Sequence, residues 1–259
     1  CLENASGGKL YTNSNTIRNI LLAAEFLHAH IKHFYYFVLL DYVDIQSVKQ
    51  YAGNDLSLNH MRDWMRKELS GETSLHVASI FMPRGIMKEG GTDFIKNRKL
   101  NLELLSGYVN AGSILATIQE LIAVLGGRVP HVLSIVPGGT GVRIRSKQLK
   151  TCLTLLKKIE LFVNKKYIPH VKIIANEFRD YFKMGLYNNM LSMGAFPAGK
   201  NLAEMLFQPG VYINDKPGPF DGKGNKVLFD INKIEEQLAY SYLKKVPNKK
   251  NTIPAPRKK

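Results

Sequence analysis

The stretch "FLHAHIKHFYYFVLLDYVD", residues 26–44, sets His28, His30, His33, Asp41 and Asp44 into one apolar run. Imidazoles and carboxylates bind metals and move protons near neutral pH. His30 and His33, three apart, share one face of a helix, and His28 lies on a different part of the circumference. A metal site on that face would need a third or fourth ligand. The other reading is that these histidines are packed or exposed, hydrogen-bonded, and bind nothing, with Asp41 and Asp44 as caps or surface charges. Cysteine chemistry is scarce. Cys1 and Cys152 are the only two, they form no CxxC, and no cysteine–histidine zinc spacing is present. Cys152 sits in a helical run and reads as a small buried hydrophobe.

The elements that must position these groups follow from periodicity. Residues 11–48 form a long helix candidate, with Asn13, Ser14 and Asn15 as possible N-caps and Ile17, Ile20, Leu21, Ala24, Leu27 and Ile31 at helical spacing. Beyond Phe34 the segment is apolar nearly all round, so that half is expected to be buried on several sides. A shorter, charged helix is expected over 57–70, and a short strand or irregular segment over 74–85. A helix over 92–125 should stop at Gly126-Gly127. "RVPHVLSIVPGGTG" reads as loop with a short extended piece, and 144–183 as a helix broken near Pro169. From residue 185, Gly, Pro, Asn and Asp punctuate short β-type runs, "YNNMLSMGAFP", "GVYIND" and "KVLFDI". A last helix, 231–243, precedes a basic, proline-rich tail. The fold class is therefore mainly α with a small β region (α+β): a helical core over about 12–184, a peripheral β-containing segment over about 185–243, and a tail or cut loop over 244–259.

The 259 residues, 45% of them hydrophobic, suffice for a sizeable core. The net charge of +15 suits nucleic acid, anionic lipid or an acidic partner. Nucleic acid is not expected, because the aromatic residues lie in apolar runs and are not interleaved with Lys and Arg. Two cysteines leave the compartment open, and the apolar stretches read as too short and interrupted to span a bilayer. The chain opens on Cys1, and both ends read like cuts in a longer protein.

Four ordered blocks resemble the large subunit of nickel–iron hydrogenases. The first is Arg18-Asn19-Ile20, then His28-Ala29-His30, His33-Phe34-Tyr35 and Leu40-Asp41-Tyr42-Val43-Asp44. The second is "GGRVPHVLSIVPGG", with Gly126, Gly127, Arg128, Pro130, His131, Gly138 and Gly139. "LSMGAFP" with "LFQPGVYIN" is the third, and "FDINKIEEQLAYSYL", with Tyr242 where Trp is usual, the fourth.

The resemblance implies a long-helix bundle and, in the intact subunit, a nickel–iron centre held by four cysteinates from one CxxC near each end, with cyanide and carbon monoxide on the iron. It implies reversible oxidation of dihydrogen, with electrons passed to an iron–sulfur small subunit. A non-catalytic scaffold or split subunit is the alternative. This sequence carries none of the four cysteines, so the chain alone is expected to bind no such centre and to be inactive without the missing N- and C-terminal parts. By the resemblance, Ala29 stands where a canopy carboxylate is usual. His131 and Arg128 face the partner's iron–sulfur cluster, and His28 and His33 belong to a core helix near the active site. The motif style favours a periplasmic, membrane-associated setting, with the membrane touched only indirectly and a cytoplasmic setting as the alternative.

Overall fold

The computed structural model describes residues 2–70, 94–184, 189–198, 204–214, 224–230, 243–244 and 255–256. Helices dominate: α1 (Leu2–Ser6), α2 (Thr12–Lys32), α3 (Leu56–Ser70), α4 (Arg98–Gly126), α5 (Ser146–Phe162) and α6 (Ile168–Glu177). The strands are short. β1 (Ile135–Val136) and β2 (Gly139–Thr140) form a hairpin, and β3 (Met190–Ser192), β6 (Gly210–Ile213) and β7 (Asn225–Val227) an antiparallel sheet in the order β3-β6-β7. β4 (Ala195–Pro197) pairs with β5 (Met205–Phe207), and β8 (Leu243–Lys244) with β9 (Ala255–Pro256), both antiparallel. The expected segment 74–85 and most of the expected helix 231–243 lie outside the described residues.

The core forms where α2, α3 and α5 close on α4. Leu104, Leu105, Ala111, Leu115, Ile118 and Leu121 of α4 are all buried. They meet Leu21, Ala24 and Ile31 of α2, Met61 and Met65 of α3, and Cys152, Leu155 and Ile159 of α5. Contrary to the sequence reading, α4 is long and apolar enough to cross a membrane. Here those apolar side chains pack against three other helices.

Helix ends follow local chemistry. α4 begins at Arg98, not 92, because the Asn97 side chain accepts from the Lys99 and Leu100 N–H groups. It stops where expected: Gly127 adopts φ +77°, and its N–H donates to the Ala123 carbonyl. None of the three proposed caps of α2 serves as one. Tyr11 holds the N-cap position, and Asn15 instead joins Asn19 in donating to the Pro197 carbonyl, at 2.6 and 2.8 Å.

The long helix expected over 11–48 is not one helix. After Lys32 it widens into a π turn, His33–Val38, then tightens through short 3₁₀ turns, Leu39–Asp41 and Ile45–Val48. Phe34 and Tyr35, adjacent in sequence, are both buried, matching the expectation that this half is enclosed. A second π turn, Val163–Tyr167, joins α5 to α6 just ahead of Pro169. Proline brings no N–H to an α-helical bond, and the wider turn carries the chain past it, with the Ile168 N–H reaching back to the Val163 carbonyl.

Candidate functional site

The two π turns meet inside the core. Tyr35 from the first packs against Tyr167 of the second, ring centres 6.3 Å apart, and against Phe162 at 5.8 Å. One turn into α6, His170 is fully buried. Its Nδ1 lies 2.9 Å from the Tyr35 hydroxyl, while Nε2 is buried without a hydrogen-bond partner. The nearest carboxylate to Nε2, Glu103 Oε1 on α4, is 3.7 Å away, beyond hydrogen-bond reach. Burial, helped by the Lys166 charge, pulls the His170 imidazole down to about 4, so the ring is neutral at pH 7. Burial also raises Tyr35 well above the usual phenol range, so its hydroxyl keeps its proton and can donate to Nδ1. The tautomer with Nε2–H then faces the carboxylate. Gly107 of α4 completes the site, because a methyl group there would overlap the His170 ring.

The histidine-rich stretch divides differently. Leu22, Phe26, Ala29, His30, His33 and Phe37 are all exposed, and their spacing places them along one outer stripe of α2 and its π turn. The His30 ring lies 4.1 Å from that of Phe26, and His33 6.2 Å from that of Phe37. Phe26 in turn meets Phe196 of β4 and Phe207 of β5. The shared face of His30 and His33 is as expected. His28 lies off it, half-buried, with Nε2 3.4 Å from the Gln119 amide on α4. Partial burial pulls its imidazole below the usual range. The expected core position of His33 is not what the structure shows: β4 and β5 meet the stripe at Phe26, and His33, seven residues further along it, is exposed. Asp44 is a cap, accepting from the Gln46 N–H at 2.9 Å.

His131 and Arg128 are exposed on the loop that follows α4. That loop is fixed at both ends. The Leu133 and Ser134 N–H groups donate to the Gly126 carbonyl. Arg18 of α2 donates to the Val136 and Gly139 carbonyls, at 2.6 and 2.8 Å, and pairs with Glu3 at 2.8 Å, while the Gly138 N–H donates to the same carboxylate. The loop is thereby tied to the first half of α2. Fifteen residues separate Arg18 from His33, about 22 Å along a helix axis, so the structure does not bring His131 and Arg128 together with the far end of the histidine stripe.

These residues do not fit a nickel site. Among the described residues no three His, Cys, Asp or Glu side chains converge to hold a metal ion. Cys152 is buried in α5, and burial pushes its thiol up, away from the thiolate form that metals bind. The site sequence reasoning missed is His170. Its signal was its place eight residues beyond Phe162, continuing the buried stripe Cys152, Leu155, Ile159, Phe162.

Residues 1–258 match the family described as "Nickel-dependent hydrogenase". The chain belongs to the nickel-dependent hydrogenase family. Over 226 residues it is 28% identical to the periplasmic [NiFeSe] hydrogenase large subunit of Desulfomicrobium baculatum, spanning 85% of this chain and 38% of that one. It is 28% identical to the hydrogenase-2 large chain of Escherichia coli (strain K12), spanning 98% and 49%. Among solved structures, the Ni-Fe-Se hydrogenase from D. vulgaris Hildenborough in the as-isolated oxidized state superposes with a TM-score of 0.69 at 29% identity, covering 97% of this chain and 45% of that one. The mainly helical architecture with small antiparallel sheets is thus a hydrogenase large-subunit fold. The chain spans less than half the length of these relatives.

Proposed function

We propose that this chain contributes a scaffold portion of a hydrogenase large subunit, which in complete form oxidises dihydrogen reversibly to protons and electrons. The observation that carries this reading is the continuity of the family match, residues 1–258, together with structural coverage of 97% of the chain. The designation of the relatives as large subunits supports an iron–sulfur small subunit as the electron-accepting partner. Because residues 1–259 hold only two cysteines and no CxxC, the cysteinates of a nickel–iron centre, with cyanide and carbon monoxide on its iron, are assigned to large-subunit residues outside this span.

What these residues contribute is shape and position. The outer stripe of α2 offers Ala29 flanked by His30 and His33. Alanine holds no proton, and the titratable side chains on the helix surface around it are Glu25, His30, Lys32 and His33. The loop clamped by Arg18 presents His131 and Arg128 for contact with the partner near its cluster. The alternative reading is a split or non-catalytic scaffold in an electron-transfer complex.

The test co-expresses this chain with polypeptides that supply both CxxC segments and the small subunit, under conditions that mature the centre, and measures hydrogen–deuterium exchange. Activity that disappears when this chain is omitted supports the enzymatic reading. A complex that assembles with the chain, loads nickel and stays inactive selects the scaffold. Full activity without the chain defeats both.

A further inference from the structure

The segment running from α5 through the second π turn to the end of α6, residues 146–177, carries seven lysines against two glutamates. No described carboxylate pairs with Lys150 or Lys157, and both are exposed. Leucines share this surface: Leu149, Leu153 and Leu156 are 54%, 51% and 38% exposed, and Leu161 is 62% exposed. Spacing orders them. Leu149, Leu153 and Leu156 form one stripe at i, i+4 and i+7. Lys150 and Lys157 form the neighbouring stripe, which Leu161 continues four residues on. The opposite side of α5, with Cys152, Leu155, Ile159 and Phe162, is already buried in the core, so these leucines are not the chain's own inward face.

We propose that this outer face of α5 and the turn beyond it is a docking surface for anionic lipid, with the leucines entering the headgroup region and Lys150 and Lys157 meeting lipid phosphates. Charge complementarity selects the occupant. A second copy of the chain would set like-charged segments against each other. Nucleic acid would meet the lysines but give the leucines no apolar environment, and the aromatic residues of α5 and its π turn, Phe162 and Tyr167, are buried and half-buried, so neither offers an open stacking ring. A bilayer surface supplies both an anionic layer and an apolar boundary. The assignment does not depend on hydrogenase activity.

Vesicle flotation tests it, using the full chain both alone and within the complex it assembles into. Vesicles of phosphatidylglycerol and phosphatidylcholine are compared with phosphatidylcholine alone. Expected is flotation with the anionic vesicles only, reduced at high salt. Lys150→Glu with Lys157→Glu should weaken it about tenfold or more. Leu153→Ser with Leu161→Ser should weaken it while the salt dependence persists. Circular dichroism melts should be unchanged, since all four positions are exposed. Equal binding to neutral vesicles, indifference to the charge reversal, or displacement by RNA of vesicle-bound chain would overturn the assignment. So would loss of flotation on entering the complex, which would show that the face is covered by another polypeptide.

Discussion

His170 of α6 makes one good hydrogen bond, to Tyr35 of the first π turn, packs against Gly107 of α4, and is fully buried. Tyr35, Lys166 and Glu103 face it, and Tyr167 packs on the Tyr35 ring. Burial and Lys166 oppose a charged ring, and Glu103 is too distant, and at 41% side-chain exposure too solvated, to compensate. The folded pKa of about 4 lies below the ordinary 6.5. The stability His170 contributes is therefore present above about pH 6.5 and lost as the pH falls towards 4, where the folded state must protonate a buried ring. The loss should approach something on the order of 3 kcal/mol at the acid end. Urea melts of the chain and of His170→Gln between pH 7 and 4 check this: the variant should be less stable at pH 7 and show a flatter decline. Parallel pH curves would sink the idea. His28, His30 and His33 caught attention in the sequence because they stand together in an obvious run, and they prove to be one half-buried and two exposed side chains. His170 drew none: it continues the buried stripe of α5, but only across a π turn and beyond Pro169, where the sequence pattern points to a broken helix.

At the scale of elements, Gly107 decides how closely α6 approaches α4. In the middle of an exposed helix, Gly→Ala is stabilising by about 0.5–1 kcal/mol. Here the new methyl would strike the His170 ring, in a core that cannot yield freely, so the sign should reverse and Gly107→Ala should destabilise by about 1–3 kcal/mol. The double variant Gly107→Ala, His170→Ala has room for the methyl and should recover more than 1 kcal/mol relative to the sum of the single changes. A stabilising Gly107→Ala, or strict additivity, would mean the helices do not touch there. Most helix spans were legible because apolar spacing of three and four is a direct consequence of one-sided burial, as in α4 and α5. Ends were less so. Asn13, Ser14 and Asn15 all have capping chemistry, but the Asn15 amide is spent on Pro197, a partner 182 residues away that no local window contains. The two π turns were also hidden, since they answer to Tyr35 and Tyr167 meeting across the core.

The mainly helical class and the family were readable from the whole sequence, because four separated blocks keep their order. What covers the surface was not. Leu22 and Phe26 on α2 are 49% and 44% exposed, Phe37 is 65% exposed, and Leu206 and Phe207 of β5 are 73% and 48% exposed. Phe26 and Phe207 touch, so part of this surface is one continuous patch. Apolar patches of this kind mark surfaces that another chain covers, and the relatives are more than twice as long as the span this chain matches. The +15 charge works the other way, because like-charged molecules repel at low salt. The two effects separate with ionic strength. The full chain alone should self-associate as salt rises, since screening removes the repulsion and leaves apolar contact unchanged. Leu22→Ser with Phe26→Ser should restore the monomer at high salt without loss of helical signal, because both positions lie outside the core. Sedimentation velocity over a salt series reads both outcomes. A chain that stays monomeric throughout and melts in one sharp transition would show that the α2 stripe needs no cover.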